Sequence, residues 1–226
     1  MADDAMRAAS LFSGGKDSTY SLFCALQQGW EVRALVTVFP FPDSMMFHHP
    51  NIELTRLQSE AIGISHAAKT PRKTGTDAEL DALKHLLSGL DIAAVVSGAV
   101  ESEYQKQRID VICEELGLRS FAPLWRKKPI PLLREMVASG FEVLVVAVSA
   151  EGLGKEWLGR QLDETAISEL EQLQESKGVH PIFEGGEAET FVTYAPFFKK
   201  RVKIEKAERK WKGTSGTLEI KKASLA

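Results

Sequence analysis

A doubly wound α/β fold on a parallel sheet, followed by a smaller C-terminal α+β domain, is what the sequence predicts. Three observations carry this. Short continuous apolar runs alternate with stretches whose apolar residues recur at helical spacing, a Gly-Gly-Lys turn occupies the first such junction, and the last third of the chain alternates apolar with charged residues.

In chain order, residues 8–12 form a buried first strand, and residues 18–28 bring Leu22, Phe23 and Leu26 onto one helix face. Gly29 stops that helix, and residues 31–39, rich in Val and Leu, give a second buried strand that Pro40 and Pro42 end. Met45, Met46, Phe47, His48 and His49 put large apolar groups in an irregular stretch, as a lid or pocket wall would. A helix runs from Asn51 to its stop at Gly63, and residues 64–68 form a third strand. Thr76 or Asp77 caps a helix carrying Leu80, Leu83, Leu86 and Leu87, and residues 92–96 form a central parallel strand opening at Ser97-Gly98. A helix over residues 101–116 follows. Residues 123–131, with Arg126-Lys127-Lys128, read as a connector. Beyond it come a helix over 132–139, a strand over 143–148 and a polar helix over 163–174 with Ile167, Leu170 and Leu173 inward. Residues 191–194, 202–208 and 217–222 read as antiparallel strands with one wet face. The expected division is 1–126, a nucleotide-binding domain, and 127–226, a substrate-recognition domain.

The loop Ser13-Gly14-Gly15-Lys16-Asp17-Ser18 joins the first strand to the first helix. Gly14 and Gly15 permit a tight turn, and the helix that follows begins with unpaired amides and the positive end of its dipole, so a polyphosphate is held there mainly by backbone. Lys16 adds a positive charge, and the Ser13 and Ser18 hydroxyls add donors. Asp17 would repel a phosphate unless a metal intervened, so Mg²⁺ is implied, with Asp17 as its ligand. The loop is neither a Walker A sequence nor a dinucleotide fingerprint.

With 226 residues, 44% of them hydrophobic, the chain can bury a proper core. A net charge of −3 gives no global basic field, so direct nucleic-acid binding is not expected. No apolar run approaches the roughly 18 to 20 residues that span a membrane, and the acidic start Met1-Ala2-Asp3-Asp4 is unlike a secretory signal, so a cytoplasmic protein is expected. The two cysteines, Cys24 and Cys113, lie far apart, which excludes a disulfide framework and argues against sulfur transfer.

A second chemical signal is Glu184-Gly185-Gly186-Glu187-Ala188-Glu189-Thr190, three carboxylates around a flexible turn. Such groups orient a metal, hold an ammonium ion or accept a proton. By composition alone it reads first as a solvent-facing acidic turn. Tyr104 and Arg108, four apart just past the central strand, share a helix face, where Arg108 can clamp an anion. The stretch over residues 151–160, with Lys155 and Arg160, reads as a plain loop before an anion site, and Lys199-Lys200-Arg201 as a solvated strand end. His48 and His49 lack partners at ligand spacing.

The loop at residues 13–18 resembles the pyrophosphatase loop of the ATP pyrophosphatase superfamily. Together with Met46-Phe47-His48, Pro50-Asn51-Ile52-Glu53-Leu54, the stretch 98–108, the stretch 151–160 and the Glu184 to Thr190 motif followed by Ala195-Pro196-Phe197-Phe198, the chain is similar to the diphthine–ammonia ligase family over nearly its whole length. Ala188 stands where that family usually has tyrosine, and Tyr194 where aspartate commonly stands. The resemblance implies a Rossmann-like fold of the adenine nucleotide alpha hydrolase type, and an ATP-dependent, AMP-forming ligation of ammonia to diphthine on translation elongation factor 2, with a homodimer as one compatible assembly. It implies Ser13, Gly14, Gly15, Lys16, Asp17 and Ser18 for ATP and Mg²⁺, with Lys16, Asp17, Glu187 and Glu189 catalytic. Gly98, Tyr104, Arg108, Glu184, Gly185, Gly186, Glu187, Glu189 and Thr190 fall on the acceptor or ammonia side. Two other readings stay open on the residues: an adenylylating enzyme acting on transfer RNA or a small acid, and a non-catalytic adenine-nucleotide sensor.

Overall fold

The computed structural model describes residues 5–39 and 51–226. The proposed lid, with Met45 through His49, and the prolines ending the second strand lie outside the described residues, as does the acidic start of the chain.

Five parallel strands form the first sheet: β1 (Arg7–Leu11), β2 (Glu31–Val38), β3 (His66–Lys69), β4 (Ala94–Val96) and β5 (Arg119–Phe121), in the order β3-β2-β1-β4-β5. The helices between them are α1 (Lys16–Gln27), α2 (Thr55–Ile62), α3 (Thr76–Ser88) and α4 (Glu103–Glu115). Because side chains alternate across a strand, Ala8, Leu35 and Val96 face one core, while Ala9, Val36 and Val95 face the other, where α3 brings Leu83 and Leu87 and α4 brings Ile109 and Ile112. That is why the strands read as unbroken apolar runs. The strand order reverses between β1 and β4, where the loops after them part and leave a crevice.

Several details differ from expectation. The strand expected from residue 191 begins at Ala188, so the last three residues of the acidic motif are strand and not turn, and a helix begins at Pro129, inside the expected connector. Residues 119–121 form a fifth strand that carries no apolar run, since an edge strand is covered on one flank only. Helix α3 is capped by Gly75, with φ +107°, and not by Thr76 or Asp77, which lie within its first turn.

After α5 (Pro129–Ala138) comes an antiparallel sheet of β6 (Glu142–Val148), β7 (Ala188–Tyr194), β8 (Val202–Lys212) and β9 (Ser215–Leu225), ordered β7-β6-β9-β8, with α6 (Glu164–Lys177) packed beside α5. The core that holds Ala8 and Leu35 continues through Val143, Val145 and Phe191, so one apolar body joins the two sheets.

Strand β9 pairs with β6 only at Gly216 and Thr217. Beyond that point Asn51 takes the place of a strand: its Nδ2 donates to Leu218 O at 3.0 Å and its Oδ1 accepts from Ile220 N at 2.8 Å. The residue holds φ +66°, which asparagine tolerates better than most side chains. Asn51→Ala is expected to lower stability by about 2 kcal/mol, since two backbone groups lose their partners and the backbone is strained. Asn51→Gly, which relieves only the strain, should recover a minor part of the loss in a denaturant titration.

Candidate active site

The crevice at the β1/β4 reversal is a cavity of about 560 Å³. Its walls are the turn after β1, the end of β2 at Val36 to Val38, the turn after β4 from Ser97 to Ser102, and the segment from Ile182 to Thr190. Both sheets therefore build it.

Gly14 turns with φ +78°, and Gly15, extended, precedes α1 without a side-chain cap. A side chain on Gly14 would overlap Gln58 Oε1 at 2.1 Å. Ser18 Oγ donates to Gly15 O at 3.1 Å, accepts from Ser13 N at 3.2 Å and lies 3.1 Å from Ser13 Oγ, so the serines brace the loop. On the far side, Gly98 fits so tightly against α1 that a Cβ would lie 2.7 Å from Ser18 N and 2.8 Å from the Asp17 carbonyl carbon.

Segment 182–192 closes onto this loop directly. Lys16 N donates to Thr190 Oγ1 at 3.1 Å, and Val192 N donates to Gly14 O at 3.0 Å. Gln58 Nε2 donates to both Gly14 O (3.0 Å) and Val192 O (2.8 Å), fastening α2, the loop and β7 at one point. The Lys16 side chain is 3% exposed. Its Nζ lies 2.8 Å from Asp17 Oδ2, donates to Ile182 O at 2.7 Å, and stands 5.1 Å from the centre of the Phe183 ring. Phe183 itself holds φ +65°.

Glu184 Oε1 accepts from Ser102 N at 2.6 Å and Glu101 N at 3.4 Å, at the positive end of the α4 dipole. Burial, and then the charge of Asp17, push its carboxyl above the usual range. Asp17 and Glu184 thus line one crevice, close enough for their charges to interact. Ser97 Oγ, in the cavity wall, is buried without a hydrogen-bond partner among the described residues.

Of the residues singled out from the sequence, Ser13, Gly15, Lys16, Asp17, Ser18, Gly98, Tyr104, Glu184, Gly185, Gly186, Glu189 and Thr190 line the cavity. Gly14, Arg108 and Glu187 stand outside it. Arg108 folds back over Tyr104, its Cζ 3.4 Å from the ring centre, and donates to Tyr104 O. Glu187 Oε1 accepts from His180 N at 3.3 Å, while its buried Oε2 lacks a partner among the described residues. Arg160 forks onto Glu169 at 2.5 and 2.8 Å and lies over Trp157, away from the crevice. Arg201 pairs with Glu142.

The sequence did not point to Gln58, Thr37 or His66. Thr37 Oγ1 donates its one proton to Phe12 O at 2.6 Å, so the bond of 2.9 Å to His66 requires His66 Nε2 to be the donor. This relay fixes the exit of β1. Burial, and then Arg56, hold the His66 pKa below the usual imidazole value. The unfolded chain therefore binds the proton more readily, and the contribution of His66 to stability is present above about pH 6.5 and lost as pH falls through the window below it. Denaturation midpoints should fall from pH 7.5 to pH 5.5, with His66→Gln flattening that dependence.

Comparison with known proteins gives one answer along the chain. The family described as Diphthamide synthase N-terminal domain matches residues 6–120, and that described as Diphthamide synthase C-terminal domain matches residues 128–226. Proteins named diphthine–ammonia ligase are 34% identical over 226 residues in Rattus norvegicus (90% of this chain, 84% of the relative), 33% over 225 residues in Danio rerio (90% and 88%) and 31% over 226 residues in Homo sapiens (90% and 84%). A solved structure described as a predicted subunit of tRNA methyltransferase from Methanocaldococcus jannaschii aligns with 84% of this chain and 99% of its own at 16% identity, with a TM-score of 0.44, too slight a likeness to carry an argument. With both halves matched in chain order and the phosphate loop and acidic segment joined in one crevice, the chain belongs to the diphthine–ammonia ligase family.

Proposed function

We propose that this enzyme uses ATP to activate the carboxylate of diphthine on translation elongation factor 2 and joins it to ammonia, forming diphthamide and releasing AMP and pyrophosphate. The observation that carries this reading is the direct bond from the Lys16 amide to Thr190 Oγ1, which seats the acidic motif against the phosphate loop.

An acceptor carboxylate oxygen attacks the α-phosphorus, and the bond from that phosphorus to the bridging oxygen of pyrophosphate breaks. Ammonia then attacks the acyl carbon, the bond to the AMP oxygen breaks, and the nitrogen loses one proton. The loop amides and Lys16 bind the departing pyrophosphate and stabilise its growing charge. Lys16 is restrained beforehand by Ile182 O and Asp17, so it reaches the phosphates with little reorganisation. Glu189, in the cavity wall, is the carboxylate suited to hold ammonium or take the proton that the nitrogen loses.

Among the described residues no cluster of three or more His, Cys, Asp or Glu stands ready for a metal. The two carboxylates of the crevice wall, Asp17 and Glu184, fit Mg²⁺, which binds through one or two carboxylates together with substrate phosphates. These two carboxylates would hold it, and when bound it would neutralise charge on the pyrophosphate.

The test is incubation of the protein with labelled ATP, ammonium and diphthine-bearing elongation factor 2. AMP, pyrophosphate and a factor carrying carboxamide in place of carboxylate are the expected products, each dependent on the acceptor. ADP with orthophosphate, or ATP bound and uncleaved with every acceptor, would overturn the reading.

A further inference from the structure

Gln58 is fully buried where α2, the turn after β1 and β7 meet. The orientation of its carboxamide follows from its neighbours. Gly14 O and Val192 O both lie within bonding reach of Nε2, and an oxygen in that place would face two others, so the nitrogen must point to them. Oε1 thereby occupies the space that a side chain on Gly14 would take, 2.1 Å from where its Cβ would stand, and has no partner among the described residues. A buried, unpaired carbonyl oxygen is a standing cost, and a methionine of similar volume would fill the same space without it. What the carboxamide supplies in return is its hold on two carbonyls.

The carbonyl of Gly14 accepts a second bond, from Val192 N at 3.0 Å, which uses both of its lone pairs. A trans peptide is planar, with its N–H directed opposite to its C=O. Two donors holding Gly14 O on one side therefore fix the Gly15 N–H on the other, toward Ser13 Oγ at 3.5 Å, and both Gly15 and Ser13 line the crevice. That bond is long, so the amide is open to a better acceptor. Through Val192 O, Gln58 has the same grip on β7. Helix α2 is also tied to the chain beyond β7, because Ala61 O accepts from Lys199 N at 2.7 Å and from Lys200 N at 3.2 Å. Helix α2, β7 and the phosphate loop thus form one hydrogen-bonded unit.

We propose that Gln58 is the positioning residue of the phosphate loop. It does not line the crevice and acts through the Gly14 peptide, turning the Gly15 amide toward the crevice as a preorganised donor for the pyrophosphate portion of ATP. Because the same nitrogen holds Val192 O, the seating of β7 and the affinity for pyrophosphate are coupled. The inference rests on the ligase reading, in which this loop is the ATP site.

Gln58→Met keeps the length and volume of the side chain and removes its donors. In the folded variant the Kd for inorganic pyrophosphate, and that for ATP, is expected to rise about tenfold by calorimetry, the loss that follows when one hydrogen bond to a charged group is misplaced. A residue that serves the fold alone would lower Tm and leave both affinities of the folded protein unchanged, and that outcome would overturn the proposal while leaving the ligase reading intact. Hydrogen exchange on the wild type needs no substitution and covers a variant that does not fold. Saturating pyrophosphate should slow exchange at the Val192 amide about fivefold more than at the Ile167 amide, which bonds to Asp163 O in α6 and does not line the crevice. Equal slowing at the two amides would overturn the coupling. Wild-type protein that binds neither pyrophosphate nor ATP would overturn the ligase reading and this proposal together.

Discussion

Lys16→Met is expected to lower AMP formation about a thousandfold while ATP still binds. Removing a single preorganised charge from a developing anion costs roughly 10²- to 10³-fold, and a cation placed on a transferring phosphoryl group more. Lys16 belongs in the upper part of that range because its side chain is 3% exposed and its Nζ is held between Asp17 Oδ2 and Ile182 O. Methionine retains the stem and therefore most of the packing against Phe183. What it does not retain is the bond to Ile182 O, and an unpaired carbonyl there costs about 1 to 3 kcal/mol if no water replaces it. Two readouts separate these effects. Single-turnover AMP release reports the chemistry, and a denaturant titration reports the loss of stability. A variant that keeps more than about a tenth of the wild-type rate would remove Lys16 from the chemistry and leave it a structural tie between the loop and segment 182–192.

The parts of this site that were legible in the sequence are those determined by neighbours in the chain. An apolar run, two glycines and a helical pattern sufficed for the phosphate loop, because strand, turn and helix are contiguous. The acidic motif is different. Its composition reads as an exposed turn, and only the resemblance pointed to a site. Physically, Glu184 is half-buried because it caps the start of α4, a helix some eighty residues earlier, which no local pattern can express. Gln58 is the same kind of case, its amide bonded to Gly14 and Val192 from within a helix whose sequence shows only amphipathic spacing. Spacing was right about Tyr104 and Arg108 sharing a face, and they do touch, yet only Tyr104 reaches the cavity, since spacing fixes neighbours and not the direction a side chain folds.

Gly98→Ala is the smallest change expected to disable the crevice. The glycine is needed here for space alone, because the atoms that a Cβ would strike, Ser18 N at 2.7 Å and the Asp17 carbonyl at 2.8 Å, are backbone of the first turn of α1. A flexible side chain could swing aside; a helix turn cannot. Nor can the helix retreat easily, since its Lys16 amide is bonded to Thr190 and its Thr19 amide and hydroxyl to Gly15 O. The turn after β4 must therefore shift by several tenths of an ångström in an interior packed as densely as a crystal, at about 1 to 3 kcal/mol. That shift falls at the switch point, where amides of α1 and the wall of β4 have to converge on one phosphate chain. Misplacement of about 1 Å costs roughly a hundredfold in rate, so AMP formation should fall by tens to a hundredfold along with ATP affinity. Gly29→Ala is the control. Gly29 holds φ +75°, and a methyl group there would meet nothing within 4 Å, so its replacement strains the backbone without touching the crevice and should lower Tm while nucleotide affinity stays the same. If the two alanines lowered ATP affinity equally, close contact at Gly98 would not be what shapes the phosphate site.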